Sequence, residues 1–440
     1  MSKFLTPNFP FKPRRFPFFY GWIILAVSTF GIIMSVPGQT IGVSAFIDDL
    51  LVALGLSRIQ LSTAYMIGTI SSAFLLPYCG RVFDRRGARW MVLVSTALSS
   101  VTLIFLSQCD RIAAFITFSD NLAIKTSVSF FVITTGFLFL RFSGQGLLCM
   151  TARSMLGKWF NRRRGFASGI NGVLVTFSFS IAPLAFNSII NLYGWRETWI
   201  FLSAMTVFMA FVGWLFFRDN PEECGLKMDG DSAADHAEQI KKDRFKVKKE
   251  YTIKEARRTY PFWAFNLGLA AQSLIITAVT FHIVSLGAEM GLSRSQSLGI
   301  FLPMSIVSIF GNFMFGWLSD RIALKYCLAV MMIMLSLGVG GVPFFSHALG
   351  RAAVIFGFGA SGGVFGPLVT VVWPRYYGRK HLGAISSMNL ASMVFASAIG
   401  PFIFGMSKEW FGGYNAGIYA CLVMPLMILL GSFKANNPQV

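Results

Sequence analysis

One arginine interrupts a segment of the sequence that is otherwise apolar. Arg141 stands near the middle of residues 128–150, in the run Leu138-Phe139-Leu140-Arg141-Phe142. An arginine at the centre of a membrane span costs about 2.5–3.5 kcal/mol, so it should face the protein interior or a wet cavity. Two interpretations stay open. Arg141 offers its planar donor fork to a carboxylate or similar anion, or it hydrogen bonds to neighbouring helices as part of the scaffold.

A histidine is the second candidate for chemistry inside an apolar segment. His282 lies toward one end of residues 260–286, beside Phe281. With an ordinary pKa near 6.5, it could change its charge around neutral pH. All 19 Asp and Glu residues fall in connections or at the ends of apolar segments, so His282 is the candidate for proton coupling. The alternative is a hydrogen-bonded packing residue.

Further polar side chains in apolar segments extend the set of predicted substrate contacts. Gln39, Gln145, Ser308 and Asn312 are predicted to bind substrate together with Arg141 and Phe281, and Thr40 is a further polar candidate. No segment combines His, Asp, Glu or Cys into a metal-binding or acid–base set, so we expect neither an enzyme nor a metal site. No phosphate-binding GxxxxGK[ST] loop is present, which argues against ATP-driven chemistry, and no cofactor is expected.

Apolar blocks of about 20 residues, the length that crosses a bilayer, must position these side chains. Hydrophobic residues make up 55% of the 440-residue chain, and its mean hydropathy is +0.62. The sequence therefore predicts an all-α membrane protein with twelve transmembrane helices. The blocks are 20–43, 60–79, 90–108, 128–150, 166–190, 197–217, 260–286, 296–317, 326–346, 350–372, 383–405 and 415–433.

The basic charge is distributed unevenly between the connections. The chain has 38 Lys and Arg against 19 Asp and Glu. Most of the basic residues fall in the two tails and in every second connection. By the positive-inside rule, this pattern predicts that both termini are cytoplasmic. A net charge of +19 could also suggest nucleic-acid binding, but its placement is that of a topology signal, and no nucleic-acid partner is expected.

Two stretches recur at a constant spacing, which indicates an internal duplication. Gly55-Leu56-Ser57-Arg58 returns as Gly291-Leu292-Ser293-Arg294, and Gly80-x-x-x-Asp84-Arg85 returns as Gly316-x-x-x-Asp320-Arg321. Later in each half, Asn171 matches Asn389. Two parallel six-helix repeats are therefore predicted. The predicted organisation is a tail (1–19), a first bundle (20–217), a basic linker (218–259), a second bundle (260–433) and a tail (434–440).

The stretch Gly80-x-x-x-Asp84-Arg85-Arg86-Gly87-Ala88-Arg89 resembles a loop motif of the major facilitator superfamily. Other stretches resemble the monocarboxylate-transporter-like and oxalate–formate-antiporter-like branch of that superfamily. They are Lys158-Trp159-Phe160-Asn161-Arg162-Arg163-Arg164-Gly165, Pro221-Glu222-Glu223-Cys224-Gly225-Leu226, Thr280-Phe281-His282-Ile283-Val284 and Trp373-Pro374-Arg375-Tyr376-Tyr377-Gly378-Arg379.

This resemblance implies the twelve-helix major facilitator fold, a central cavity and alternating access. It also implies transport of small organic anions, often with protons. Members of the branch that carry monocarboxylates commonly place a cation in the eighth helix, and residues 304–315 contain none. The motif residues are assigned to gating and conformational change. They are Gly80, Asp84, Arg85, Gly87, Arg89, Gly316, Asp320, Arg321, Asn171 and Asn389.

The leading functional hypothesis is secondary active transport of a small organic anion, either with protons or in exchange for a second anion. The alternatives are an exporter of an amphipathic drug-like or siderophore-like compound and a membrane sensor with a transporter-like fold. We expect a multi-pass protein of the bacterial inner (plasma) membrane that functions as a monomer. Its expected partners are the solute, protons and the lipid bilayer.

Overall fold

A computed structural model describes residues 6–118, 121–230, 247–293, 296–297 and 299–439. Within these ranges the chain folds into helices and turns, with no strand. The main helices are α1 (Gly21–Met34), α2 (Arg58–Arg86), α3 (Ala88–Ser107), α4 (Leu122–Trp159), α5 (Arg164–Tyr193), α6 (Trp195–Phe216), α7 (Tyr260–Glu289), α8 (Phe301–Ser319), α9 (Leu324–Gly341), α10 (Ala348–Tyr377), α11 (Leu382–Phe411) and α12 (Asn415–Ser432).

The predicted all-α membrane fold is confirmed. In the described part of the chain, eleven helices are long and apolar enough to cross a membrane, and α1 is a shorter apolar helix of 14 residues. Several helices run well past their apolar blocks. The block 60–79 belongs to a helix that spans Arg58–Arg86, because the polar residues at its end continue the same backbone hydrogen bonding. Hydropathy detects the apolar part of each helix and misses its ends.

The first predicted span, 20–43, is broken in the structure. Helix α1 ends at Met34, a single 3₁₀ turn covers Val36–Gly38, and a short helix covers Thr40–Val43. Pro37 occupies the 3₁₀ turn and has no N–H to donate, while Gln39 is extended. Proline inside a helix removes a hydrogen bond and collides with the preceding turn, and the glycine that follows Pro37 weakens the helix further, so the pair favours a break here.

The repeated Gly-Leu-Ser segments start helices in the same way. Ser57 and Gln60 form a capping box, in which each side chain bonds to the backbone N–H of the other residue. Ser293 and Gln296 make the same two bonds, at 2.9 and 3.2 Å. The preceding glycines both have positive φ, 62° at Gly55 and 74° at Gly291. Duplicated residues therefore perform the same local task, although Arg294 lies outside the described residues.

The chain divides into two compact units. Unit 1 contains Met1–Met155 and Ser178–Leu226. Within it, α2 packs on α4, and α3 packs on α6. An apolar core fills the end of this unit near the broken helix, where the rings of Phe46 and Trp199 stack with centroids 3.7 Å apart.

Unit 2 contains Leu156–Phe177 and Lys227–Val440. Within it, α8 packs on α10, and α9 packs on α12. These pairs are the repeat counterparts of α2 with α4 and of α3 with α6. The compact units divide the chain inside α4 and α5, whereas the bundles 20–217 and 260–433 remain a sequence prediction. Residues 231–246 of the basic linker, with Met1–Leu5 and Val440 of the tails, lie outside the described residues.

Candidate functional site

Arg141 is buried in unit 1, with 2% of its surface exposed. Its Nη1 donates to the carbonyl oxygen of Gly38 at 3.1 Å and to Oγ1 of Thr40 at 3.4 Å. The guanidinium carbon lies 5.2 Å from the ring centroid of Tyr65, whose hydroxyl donates to Thr40 at 3.0 Å. No ion pair involves Arg141 in the described part of the chain, so its charge meets only neutral oxygens and an aromatic face.

Two backbone irregularities create this arrangement. The segment Arg141–Leu148 of α4 is a π-helix, a form that is often found at functional sites. It faces the break after α1, where the backbones of these two segments approach closely. A Cβ on Gly38 would lie 2.7 Å from the carbonyl oxygen of Leu140 and 2.9 Å from the Cα of Gly144. The close contact of Gly38 with Gly144 brings the Gly38 carbonyl within reach of Arg141.

The predicted glutamines join the same region, which we call the α4 site. It comprises Ser35, Gln39, Thr40, Tyr65, Arg141, Gln145 and Cys149. Gln39 Nε2 donates to Ser35 Oγ at 3.2 Å and to Cys149 Sγ at 3.4 Å. Two buried polar atoms of the site, Arg141 Nε and Gln145 Oε1, have no hydrogen-bond partner in the described part of the chain. They are a donor and an acceptor that a polar solute could use.

Sequence reasoning missed three members of the α4 site. Ser35 and Cys149 lie in contact, with Oγ and Sγ 3.0 Å apart, and Tyr65 stacks on Arg141. A serine, a cysteine and a tyrosine in apolar segments are ordinary packing residues by composition. Only the spacing of Ser35 and Gln39, one helical turn apart, offered a signal in the sequence.

Ser308 and Asn312 pair within α8, in unit 2. Asn312 Nδ2 donates to the Ser308 carbonyl at 2.9 Å, and Oδ1 has no hydrogen-bond partner among the described residues. A Cβ on Gly172 or Gly366 would lie 2.1 or 2.3 Å from that oxygen. The two glycines therefore make room for Asn312, which packs between α5 and α10.

His282 bridges α7, α11 and the start of α12. Its Nε2 lies 3.0 Å from the carbonyl oxygen of Pro401, and its Nδ1 lies 3.3 Å from the hydroxyl of Tyr414. A carbonyl can only accept, so Nε2 carries the proton. The single hydroxyl proton of Tyr414 is donated to Ser285 at 2.8 Å. The neighbouring Phe281 ring, 5.2 Å from the imidazole, is 56% exposed.

The loop motif of unit 1 ends on a tightly built turn. Gly87 has φ 84°, and a Cβ there would lie 2.3 Å from the carboxylate of Asp219, which accepts from the N–H of Ala88. Arg89, 3% exposed, donates to three backbone carbonyls. The other members are the buried Gly80, the half-buried Asp84, which has further interactions, and the exposed Arg85.

The second copy of the motif holds the start of α5. Asp320 accepts from the N–H groups of Gly165 and Phe166 at 2.9 and 3.0 Å, and Arg375 Nη2 donates to it at 2.7 Å. Burial raises the pKa of Asp320 against the opposing effect of Arg375. A carboxylate at a helix N-terminus is stabilised by the helix dipole. Gly316 allows the close approach, since its Cβ would lie 2.6 Å from the Gly165 carbonyl.

The remaining motif residues are Asn171 and Asn389, which lie in helices, and Arg321, which lies in the turn after α8. Asn389 Nδ2 donates to Asn266 Oδ1 at 2.9 Å, and Asn266 donates to Ser392 at 3.0 Å. Asn171 is 7% exposed and has further interactions. Arg321 stacks on the ring of Trp317, 3.7 Å from its centroid. Asn389 thus belongs to a polar chain between α7 and α11.

Three comparisons with known proteins agree with this architecture. A profile of the Major Facilitator Superfamily matches residues 21–401. Monocarboxylate transporter 11 of Homo sapiens is 25% identical over 372 residues, which cover 81% of this chain and 70% of that protein. Monocarboxylate transporter 12 of Rattus norvegicus is 23% identical over 318 residues, or 66% of this chain and 64% of that protein.

Among solved structures, the proton:xylose symporter XylE, of the major facilitator superfamily, aligns with a TM-score of 0.72. The alignment covers 94% of this chain and 95% of that one, at 15% sequence identity. At this identity the likeness shows the fold alone.

Proposed function

The chain belongs to the major facilitator superfamily, and on this premise we propose that it is a secondary active transporter of a small organic anion. The solute's carboxylate would bind at Arg141, and the site would be exposed alternately to the two sides of the membrane. The similarity to proteins named monocarboxylate transporters supports a carboxylate as the bound group.

The observation that carries the proposal is a buried cation without an anionic partner. Arg141 is 2% exposed, its described contacts are neutral, and its Nε has no hydrogen-bond partner in the described part of the chain. Burying such a charge in a membrane span is costly, and charged residues that are found there usually serve a function. A carboxylate would supply the missing charge and accept from the planar guanidinium.

Coupling is assigned to His282. The imidazole has its protonated Nε2 bonded to a carbonyl and its Nδ1 facing the Tyr414 oxygen, whose proton goes to Ser285, so a second proton on Nδ1 would add a hydrogen bond to Tyr414. Its protonation would therefore change the contacts between α7, α11 and α12. Anion exchange, in which a second anion replaces the proton, is the alternative form of coupling.

The test is uptake into proteoliposomes that contain the purified chain, with and without an imposed pH gradient. The panel comprises mono- and dicarboxylates, amino acids and cationic drugs. We expect saturable uptake of a carboxylate that other carboxylates inhibit. A dependence on the pH gradient would indicate proton coupling, and a dependence on internal anion would indicate exchange. Transport of cations alone, with no anion accepted or competing, would overturn the proposal.

A further inference from the structure

The first described residues form a structured element at the edge of unit 1, which we call the N-terminal strap (residues 6–20). Arg89 holds it by donating to the carbonyls of Thr6 and Phe9 at 2.9 and 2.6 Å. Arg218 donates to the same Phe9 carbonyl at 3.0 Å. At its other end, Tyr20 is fully buried and donates to the carbonyl of Phe216 at 2.7 Å.

One side of the strap is an aromatic cluster packed on unit 1. The Phe11 ring lies 5.5 Å from Phe16 and 5.9 Å from Phe216, centroid to centroid. The Arg218 guanidinium lies 4.9 Å from the Phe11 centroid. Pro13, which opens a 3₁₀ turn at Pro13–Arg15, is buried as well. These contacts fix which residues of the strap face outward.

The opposite side of the strap is basic and partly aromatic. Lys12, Arg14 and Arg15 are exposed, and none of the three forms an ion pair in the described part of the chain. Phe18 is 52% exposed beside them. Residues 6–20 contain no Asp or Glu. The outward side therefore carries three cations and an aromatic ring with no compensating carboxylate in the strap.

We propose that this side of the strap is a binding surface for anionic lipid headgroups. The strap ends at Tyr20, where the apolar helix α1 begins, so its cations lie at the level where that helix enters the bilayer. Basic clusters next to a span bind anionic lipids, and aromatic rings prefer the membrane interface. Arg89 and Arg218 attach the strap to the ends of α3 and α6. The folded unit 1 therefore holds the basic side of the strap in a defined position.

The test is native mass spectrometry of the purified full chain, titrated with phosphatidylglycerol or with phosphatidylcholine. Each cation near an anionic surface contributes about fivefold in affinity, so a variant carrying Lys12→Gln, Arg14→Gln and Arg15→Gln should bind phosphatidylglycerol about 100-fold more weakly. Phosphatidylcholine binding should not change. Inorganic phosphate in excess should not displace the lipid, because the proposed partner is a headgroup anchored in the bilayer.

A charge-matched control separates the surface from general basicity. Lys254, Arg257 and Arg258 are exposed basic residues just before α7, in a segment that also contains Glu250 and Glu255, so their triple Gln variant should lose much less phosphatidylglycerol binding than the strap variant. Equal losses in the two triple variants would overturn the proposal. So would no loss in the strap variant, which is the result expected if the strap binds an acidic polypeptide.

A second pair of variants tests the built geometry. Arg89→Gln and Arg218→Gln each release strap carbonyls while all three outward cations remain. We expect each to lower phosphatidylglycerol binding at least fivefold in protein that still elutes as a folded monodisperse peak. If either variant stays folded and binds the lipid as the unaltered chain does, the attachment of the strap to unit 1 is not required and the proposed surface is wrong.

Discussion

Arg141 illustrates how one residue can satisfy two interpretations of a sequence. A guanidinium has five N–H donors, and the contacts to Gly38 and Thr40 use one of its nitrogens. The contact with a backbone carbonyl is a scaffold role, and it orients the rest of the fork. Its Nε has no hydrogen-bond partner among the described residues, and no anion lies beside the guanidinium. Both features suit a site that binds an anion. The two roles therefore make different predictions for binding and for stability.

Replacing Arg141 with Gln should weaken carboxylate binding more than it affects folding. A hydrogen bond to a charged group contributes about 1.5–3 kcal/mol, so the concentration for half-maximal uptake should rise roughly 10- to 100-fold. The measurement is concentration-dependent uptake into proteoliposomes. Arg111→Gln, which removes an exposed cation bonded to Gln108, is the matched control and should transport normally. An unchanged affinity and rate in Arg141→Gln would leave only the scaffold role.

Replacing His282 with Gln should flatten the pH dependence of uptake. Glutamine keeps a donor for the Pro401 carbonyl and cannot change its charge, whereas histidine changes its charge between about pH 5 and 8. The measurement is the initial uptake rate across that range. His347→Gln, at the exposed N-cap of α10, is the control and should keep the normal profile. If the His282 variant shows the same profile as the unaltered chain, another group couples the proton.

At the scale of helices, the α4 site depends on two elements that depart from regular helix geometry at the same level. The break after α1 exposes the Gly38 carbonyl, and the π-helix of α4 turns Arg141 toward it. Their approach is possible because Gly38 and Gly144 both lack a side chain. The residues of the α4 site are thus positioned by backbone contact between two irregular segments.

A methyl group at Gly38 should disrupt this contact. In Gly38→Ala the new Cβ meets backbone atoms of Leu140 and Gly144 below 3.0 Å, and overpacking of this kind costs about 1–3 kcal/mol. We expect a lower unfolding temperature in detergent together with weaker carboxylate binding. Gly340→Ala is the control, because nothing lies within 4 Å of its Cβ in α9. A variant at Gly38 as stable and active as the control would show that the contact is not required.

The same elements show what sequence can predict and where it fails. Apolar length identifies the spans because each must cross the same bilayer thickness, and Arg141 stands out because its burial is costly. The π-helix leaves no trace in residue types, so its register is invisible in the sequence. Tyr65 and Cys149 join the site through contacts between distant helices. Asn389 finds its partner in Asn266, which no repeat or spacing predicted.

For the whole molecule, the duplication explains the scaffold better than it explains the site. The capping boxes at Ser57 and Ser293 and the helix pairs of each unit recur in both halves. Arg141 and His282 have no such counterpart: Ile355 matches Arg141 when Trp159 is aligned with Trp373, and Phe46 matches His282 at the spacing of the Gly-Leu-Ser repeat. A shared framework thus holds two different sets of polar residues, one in each unit.

The orientation of this framework in the membrane is predicted from the distribution of charge, and α4 provides a way to measure it. That helix has 38 residues, about 57 Å at 1.5 Å per residue, so its two ends must lie on opposite sides of a core about 30 Å thick. Phe118, 94% exposed, precedes α4, and Arg163, also exposed, follows it. The basic loop with Arg163 is predicted to be cytoplasmic.

Cysteines introduced at these two positions should therefore differ in accessibility to a membrane-impermeant thiol reagent. In intact cells, Phe118→Cys should be labelled and Arg163→Cys should not, and both should react once the membrane is permeabilised. Five of the six native cysteines are buried and Cys79 is half-buried, so the unaltered chain should give a low background. Labelling of Arg163→Cys alone in intact cells would invert the topology. The basic strap would then face the outer leaflet, so the lipid proposal depends on the same measurement.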